Sequence, residues 1–199
     1  MAQLEFDCAI QNIPYPGLLV SGDFTYIKHT NDYSIYLLGD VAGHGHRAHM
    51  LAKNIIAFSE DFDWSDVENY FQEIHAYLNG SDGCVIGLIA IAENNISYYG
   101  CGNILLKHFS AKQKITSFYG SDGVIGYQCR PVLIKKIDLQ LGDVMIIQSD
   151  GVSSRYNFED YKNILDDDVE NIANFVVHDF TNNNDDASCL VLKAKNKAN

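Results

Sequence analysis

Hydrophobic and polar residues alternate with a period of two along most of the chain, a pattern typical of β-strands with one buried face. The alternating segments are rich in β-branched and aromatic residues, and Gly, Asn or Asp bounds them. The predicted strands are 5–11, 18–28, 33–41, 84–92, 95–100, 103–109, 132–138, 143–149 and 187–194. Short turn sequences such as 100–103 separate neighbouring segments, which predicts hairpins and therefore largely antiparallel sheets.

A helical period replaces this alternation in three places. The spacing of apolar residues predicts a helix over 46–59, a second that begins after Asp63 or Ser65 and stops at 79–80, and a third over 167–179. The acidic run 166–168 is expected to cap the third helix. The order of strands, two helices, strands, one helix and a strand predicts an α+β fold. We expect two packed, largely antiparallel β-sheets flanked by α-helices.

Length and composition favour one domain. The 199 residues are 47% hydrophobic, enough for one sizeable core. No repeat or low-complexity linker interrupts the chain, so we predict a single domain over 1–194 and a polar tail over 195–199. Segment 117–131 contains several glycines and ends in Pro131, and we expect it to be a loose loop.

Charge and cysteine content exclude several classes of protein. The formal net charge is −12 and only 14 residues are Lys or Arg, which excludes a duplex nucleic-acid surface. The first residues are acidic where a signal peptide is basic, and no apolar run reaches the roughly 18 residues of a spanning helix. We therefore expect a cytoplasmic protein with no membrane partner. The five cysteines are scattered without a Cys-x-x-Cys pair, and we expect them to be reduced.

Three aspartates mark the ends of apolar segments. Asp40 and Asp150 end predicted strands, and Asp185 precedes one. If these ends meet in the fold, the carboxylates would repel one another strongly unless a cation lay between them. Oxygen ligands of this kind suit Mg²⁺ or Mn²⁺. The sequence therefore predicts a metal site built from these three side chains.

Six short motifs occur in an order that resembles the PPM-type (type 2C-like) metal-dependent protein phosphatases, in their stage II sporulation protein E branch. The motifs are 21–24, 39–45, 100–103, 141–143, 149–152 and 185–188, and the resemblance spans 21–192. It implies the α-β-β-α sandwich of these phosphatases and hydrolysis of phosphoserine or phosphothreonine. The short chain is most similar to members that dephosphorylate stressosome proteins, which implies a phosphorylated stressosome-type scaffold or an anti-sigma antagonist as partner.

The resemblance also implies a role for each matching residue. Asp40 matches the carboxylate that bridges two Mn²⁺ or Mg²⁺ ions, and the carbonyl of Val41 matches the backbone ligand beside it. Asp150 and Asp185 match the carboxylates of the first metal site, and Asp23 matches an acidic position near the second. A water held between the ions would attack phosphorus directly, without a phosphoenzyme. Asp186 is expected to support a neighbouring metal ligand or to be structural.

Several residues have alternative interpretations. His44, His46 and His49 are spaced as a zinc site could be, or lie in a loop and on a solvated helix face; His44 could also act as an acid near the phosphate. Asp122 repeats the Ser-Asp-Gly-Val letters of Asp150 but does not end an apolar strand, and it is expected to lie in a turn. Arg130 could contact a phosphate or only solvent.

Other functions also stay open. The chain could be a catalytically weak, phosphatase-like domain that binds a partner, or a phosphatase for an anti-anti-sigma factor. It could also act on small phosphorylated molecules or bind calcium. No basic residue matches the arginine that grips phosphate in the larger eukaryotic phosphatases.

Overall fold

A computed structural model of the protein describes residues 4–92 and 95–196. These residues form twelve strands and three helices. In chain order the elements are β1 (Leu4–Ile13), β2 (Asp23–His29), β3 (Tyr33–Val41), α1 (Gly45–Asp61), α2 (Val67–Tyr77), β4 (Cys84–Ala92), β5 (Asn95–Cys101), β6 (Leu105–Phe109), β7 (Ile115–Tyr119), β8 (Gly123–Val124), β9 (Gln128–Cys129), β10 (Lys135–Ile137), β11 (Val144–Gln148), α3 (Val169–Phe180) and β12 (Ala187–Asn196).

Two five-stranded sheets form the centre of the molecule. One has the order β1-β12-β11-β6-β7, and the other has the order β10-β5-β4-β3-β2. Every pair of neighbouring strands in these sheets is antiparallel. One apolar cluster lies between the sheets, a second joins the β2–β5 sheet to α1 and α2, and a third joins the other sheet to α3. The predicted α-β-β-α sandwich is confirmed.

Strand β3 shows why its sequence is apolar almost without interruption. Ile35 and Leu37 pack in the cluster shared with α1 and α2, whereas Tyr36 and Leu38 pack in the cluster between the sheets. A central strand that is covered on both faces needs apolar side chains at both phases of the alternation. The run of apolar residues ends at Asp40, next to the end of β3.

The helices lie close to their predicted positions, with one different cap. The second helix begins after Asp66, whose side chain accepts a hydrogen bond from the amide of Asn69, so Asp63 and Ser65 are not its cap. Asp168 caps α3 in the same way by accepting from the amide of Asn171, as the acidic run predicted. In both helices the cap satisfies an amide that would otherwise lack a partner.

Two segments differ from the predictions. Residues 18–22 are not part of β2, because the chain passes over α1 there: a Cβ at Gly22 would lie 2.9 Å from that of Ala48, and Leu19 is 97% exposed. Segment 117–131 is not a loose loop. It contains the end of β7 and the hairpin β8–β9, and Ser121 and Ile125 bridge to the ends of β5 and β4.

The bridges from 117–131 to β4 and β5 also bring two cysteines together, against the expectation that all five are reduced. Cys129 is joined to Cys101 at the end of β5 as a disulfide, so the prediction of five reduced cysteines is wrong for this pair. The sequence offers no sign of it because 28 positions separate the two residues. Cys8, Cys84 and Cys189 carry free thiols.

The last described residues extend β12 beyond the predicted end of the domain. Lys195 and Asn196 of the predicted polar tail belong to β12, and residues 197–199 lie outside those described. The single-domain boundary at 194 stays a prediction. Among the described residues, no helix has the length and hydropathy of a transmembrane span.

Candidate active site

Two aspartates face each other across the β2–β3 pair at the edge where the sheet meets α1. Asp23 and Asp40 are direct Cα partners in the antiparallel register. Asp23 is 4% exposed and Asp40 is half-buried. The sheet register therefore brings together two acids that lie 17 positions apart in the sequence, and it does so away from bulk water.

Serine side chains hold Asp23 from the other sheet. Ser149 Oγ donates to Asp23 Oδ2 at 2.7 Å, and the amide of Ser188 donates to the same Oγ at 3.0 Å. The second carboxylate oxygen, Oδ1, is buried and has no hydrogen-bond partner among the described residues. Burial is the main reason that the pKa of Asp23 rises to about 6, although the serine hydrogen bonds lower it. A buried oxygen without a donor suits a cation.

Asp40 lies at the centre of the acidic group. Burial raises its pKa to about 9, and the negative charges of Asp23, Asp150 and Asp185 contribute in that order. The four predicted acids are thus close enough to repel one another. In the described part of the chain, however, no three His, Cys, Asp or Glu side chains lie close enough together to hold an ion. All four side chains offer oxygen, the ligand atom that Mg²⁺ and Mn²⁺ prefer.

Asp150 and Asp185 lie on the exposed side of this group. Asp150 follows β11, and its Oδ2 accepts a hydrogen bond from Asn103 Nδ2 at 2.6 Å. The Asn182 side chain donates to the Asp150 carbonyl at 2.8 Å. Partial burial and then the charge of Asp185 raise the pKa of Asp150. Asp185 Oδ1 accepts from the amide of Asp186. Asn103 belongs to the motif at 100–103, but no role was predicted for it. Its position directly after Gly102 is the sequence feature that could have indicated a role at the site.

Val41 ends β3 directly after Asp40, at the position where the resemblance implies a carbonyl ligand. Its side chain is fully buried, and its amide donates to the Gly22 carbonyl at 3.4 Å. Gly43 and Gly45 follow with φ of +91° and +76°, a conformation that side chains with a Cβ rarely adopt. These glycines let the chain turn sharply from the strand into α1.

Asp186 holds the backbone beside the acidic group. Its two carboxylate oxygens accept hydrogen bonds from the amides of Tyr15 and Gly22, at 2.7 and 2.8 Å. A Cβ at Gly151 would lie 1.9 Å from the Asp186 carbonyl oxygen, so the loop after Asp150 packs directly on this backbone. Asp186 thus fixes the approach to β2, in agreement with its predicted structural role.

The histidines do not gather into a metal site. His44 is exposed and stacks on Tyr15, with ring centroids 4.4 Å apart. His46 is exposed on α1, as expected. His49 is half-buried, and its Nδ1 lies 3.1 Å from the Ser21 carbonyl oxygen, so the prediction of a solvated position is wrong for His49.

Asp122 and Arg130 pair with each other on the surface, with Arg130 Nη1 3.4 Å from Asp122 Oδ2. Both side chains are more than three-quarters exposed. The turn predicted for Asp122 is confirmed, since it immediately precedes the β8–β9 hairpin. Arg130 is neutralised by this aspartate rather than directed at the acidic group.

A cleft of about 490 Å³ opens beside Asp150. Its lining includes Asn103, Tyr119, Ser149, Asp150, Arg155 and Asn182. Asp150 is the member of the acidic group that lines this cleft. Arg155 was not among the predicted site residues, although it lies only five positions after Asp150.

Comparisons with known proteins agree on the fold. A structure described as the bacterial stressosome, a modular system adapted to control secondary messenger signalling, is 26% identical, with a TM-score of 0.83 over 95% of this chain and 100% of that one. RsbX in complex with magnesium is 19% identical, with a TM-score of 0.80 over 98% and 100% of the chains. The catalytic domain of the phosphatase PstP with two manganese ions is 14% identical, with a TM-score of 0.71 over 97% and 100%.

The sequence comparisons differ in what they find. No curated protein matches the sequence. A family model described as stage II sporulation protein E (SpoIIE) matches residues 30–195. This match covers most of the chain and includes Asp40, Asp150 and Asp185. The chain therefore belongs to the SpoIIE family of PPM-type serine/threonine protein phosphatases.

Proposed function

We propose that this phosphatase is a Mg²⁺- or Mn²⁺-dependent enzyme that hydrolyses phosphoserine or phosphothreonine in a stressosome-type scaffold or an anti-sigma antagonist protein. The proposed ligands of two ions are Asp23, Asp40, the Val41 carbonyl, Asp150 and Asp185. The observation that carries the proposal is geometric: Asp23 and Asp40 are direct partners across β2 and β3, and the buried Oδ1 of Asp23 has no hydrogen-bond partner among the described residues. A group of acids that opposes its own ionisation at neutral pH is stabilised by bound cations.

The chemistry of the ligand set supports the metals. Divalent ions at such a site lower the pKa of a bound water towards neutrality and offset charge on the phosphoryl oxygens. The protein's own part is to hold the ligands still: Ser149 fixes one oxygen of Asp23, and Asn103 fixes one oxygen of Asp150. Hydrogen bonds that orient ligands in this way usually affect metal affinity or activity by about 10- to 100-fold.

The nature of the substrate rests on the relatives and on charge. Two of the similar structures belong to stressosome or Rsb proteins, which favours a protein substrate in a bacterial stress-signalling pathway and a cytoplasmic location. The chain has a net charge of −12, so its overall field repels a phosphorylated substrate. Attraction must therefore be local, from bound cations and from basic groups in the cleft.

The test compares two aspartates that share the same four-letter motif. Wild type, Asp150→Asn and Asp122→Asn are incubated with Mn²⁺ and para-nitrophenyl phosphate, and then with a phosphorylated stressosome scaffold. We expect turnover by wild type and Asp122→Asn, and a loss of about 10²-fold or more for Asp150→Asn. Absence of turnover in the wild type, or equal turnover in all three proteins, would contradict the site.

A separate measurement tests the metals without turnover. Calorimetric titration of Mn²⁺ into the metal-free protein should show binding that Asp40→Asn weakens at least tenfold and that Asp122→Asn leaves unchanged. Parallel assays with a phosphorylated anti-sigma antagonist decide between the two proposed partners. If para-nitrophenyl phosphate is hydrolysed but neither phosphoprotein is, the partner assignment is wrong and the phosphatase site stands.

A further inference from the structure

The chain has three arginines, and the structure distinguishes one of them from the other two. Arg47 pairs with Asp82, with Nε 2.6 Å from Oδ2, and Arg130 pairs with Asp122. Arg155 is different: within residues 4–92 and 95–196, no carboxylate lies within 4 Å of its guanidinium. In a protein with 26 acidic residues, an exposed arginine without an acidic neighbour is available for an external anion.

Arg155 also lies in the right place. It lines the cleft of about 490 Å³ together with Asp150 and Asn103, whereas Arg47 and Arg130 do not line it. The lining also includes Tyr119, a residue that is 59% exposed. The cleft therefore combines Asp150 of the proposed phosphatase site, the guanidinium of Arg155 and the exposed Tyr119.

A buried lysine fixes the turn that carries Arg155. Lys107 on β6 is only 5% exposed, and its ammonium donates to the carbonyls of Ser154 and Tyr156, at 2.7 and 2.5 Å. The same ammonium lies 3.9 Å from the centre of the Tyr156 ring, which is itself fully buried against Phe109. The residues on both sides of Arg155 are thus anchored, so its backbone is held while its side chain reaches solvent in the cleft.

We propose that Arg155 binds the phosphoryl group of the substrate in the cleft beside Asp150, and that Lys107 is a positioning residue for it. This inference rests on the proposed phosphatase site. A planar guanidinium can donate two parallel hydrogen bonds to phosphate oxygens, a geometry that a lysine ammonium cannot reproduce. Because the net charge of the protein opposes an anionic substrate, one correctly placed guanidinium has a large effect on substrate affinity.

The experiment uses the full chain with Mn²⁺ and compares Arg155→Ala and Arg155→Lys with wild type. The probes are para-nitrophenyl phosphate as substrate and inorganic phosphate as competitive inhibitor. We expect Arg155→Ala to raise KM and the inhibition constant of phosphate together, by about 10- to 100-fold. Arg155→Lys should give a smaller rise, and added guanidinium ion should partly restore the alanine variant.

Arg47→Ala and Arg130→Ala are the matched controls, because each removes the same charge from an exposed position. Both should leave KM and phosphate inhibition within about twofold of wild type. Equal effects of all three alanine variants would mean that only net charge matters, and would overturn the inference. So would a rise in KM for a phosphoprotein without any change for para-nitrophenyl phosphate, since Arg155 would then contact the protein chain and not the phosphoryl group.

Lys107→Met tests the positioning role. It should raise KM in the same direction as Arg155→Ala, and the double variant should show no further rise, because both changes remove one interaction. Circular dichroism of each variant checks that the fold is retained. If wild type turns over no phosphorylated probe, the proposed function fails. If wild type is active and Arg155→Ala behaves like the controls, only the present inference fails.

Discussion

Buried carboxylates in this protein occur in two kinds of surroundings. Asp143 is 1% exposed. Its Oδ1 accepts a hydrogen bond from the amide of Ala111, and its Oδ2 accepts one from the amide of Gln140 and lies 2.8 Å from His108 Nε2. Asp186 is satisfied similarly by two backbone amides. Asp23 is equally buried, yet one of its oxygens has no partner among the described residues.

Hydrogen bonding therefore distinguishes Asp143 and Asp186 from the acidic group more clearly than burial does. A carboxylate that two amides satisfy is stable where it is, because its desolvation is compensated within the fold. Asp23 and Asp40 instead face each other across a strand pair, and the neighbouring Asp150 and Asp185 add repulsion. Such an arrangement costs stability unless a cation binds, and proteins keep costs of this kind at functional sites.

The largest expected effect is on activity, and it separates the two kinds of carboxylate directly. Asp40→Asn should lower kcat with Mn²⁺ by about 10²- to 10³-fold or more, because the proposed bridge between the ions loses its charge. Asp143→Asn should leave kcat per folded molecule within about twofold. Steady-state assays on both purified variants measure this. Comparable losses in the two variants would mean that the acidic group has no special role.

Metal removal should show how much the acidic group lowers the free energy of unfolding. An aspartate in the unfolded chain loses its proton near pH 4. Burial raises the pKa of Asp23 to about 6 and that of Asp40 to about 9 in the folded protein. Between about pH 4 and pH 9 the folded state therefore binds more protons than the unfolded state. The free energy of unfolding in EDTA should fall as pH rises through this range. The fall from Asp23 alone is about 3 kcal/mol.

Urea unfolding at pH 5, 7 and 8.5 measures this slope. Saturating Mg²⁺ should restore stability, by about 2.7 kcal/mol when its concentration is a hundred times its dissociation constant. Asp40→Asn should flatten the slope above pH 6 in EDTA. A profile that is flat in EDTA for the wild type, or identical in the variant, would show that burial and mutual repulsion do not raise the pKa values of these carboxylates.

A smaller effect is expected at the satisfied carboxylate. Asp143→Asn replaces one accepting oxygen with an amide that donates, so it leaves a backbone amide without its acceptor. We expect a loss of about 1–3 kcal/mol in the free energy of unfolding, with or without metal. Asp138→Asn, on the exposed chain a few residues earlier, is the matched control and should change stability by less than about 0.5 kcal/mol. Dependence on metal would place Asp143 in the active site instead.

The sequence was sufficient to predict the layered fold because hydrophobic period and turn residues act locally. β3 has the predicted bounds, 33–41, and β11 and β12 lie within two residues of theirs, whereas β2 begins at Asp23 instead of at 18. The identity of the acids followed from strand ends and from the resemblance. What could not be predicted depends on contacts between distant segments, such as Ser149 with Asp23 and Lys107 with the turn at 154–156.

Segment 117–131 shows the same limit. Its glycines indicate a loop when the segment is considered alone, but pairing with β6 makes a strand of its first part, and bridges to β4 and β5 hold the rest. The contact between Cys101 and Cys129 depends on that folding back. Arg155 was overlooked for a related reason: a lone arginine in a polar stretch has no sequence signal that distinguishes it from Arg130.

The smallest expected effect concerns Asp122, in the second occurrence of the Ser-Asp-Gly-Val motif. Ser121-Asp122-Gly123-Val124 has the same letters as Ser149-Asp150-Gly151-Val152, but Asp122 is 84% exposed and pairs only with the exposed Arg130. Asp122→Asn should change the free energy of unfolding by no more than about 0.5 kcal/mol, because exposed ion pairs contribute little. Thermal unfolding with and without Mn²⁺ measures this. A metal-dependent shift in Asp122→Asn would mean that the letters, rather than their place at a strand end among other carboxylates, determine the site.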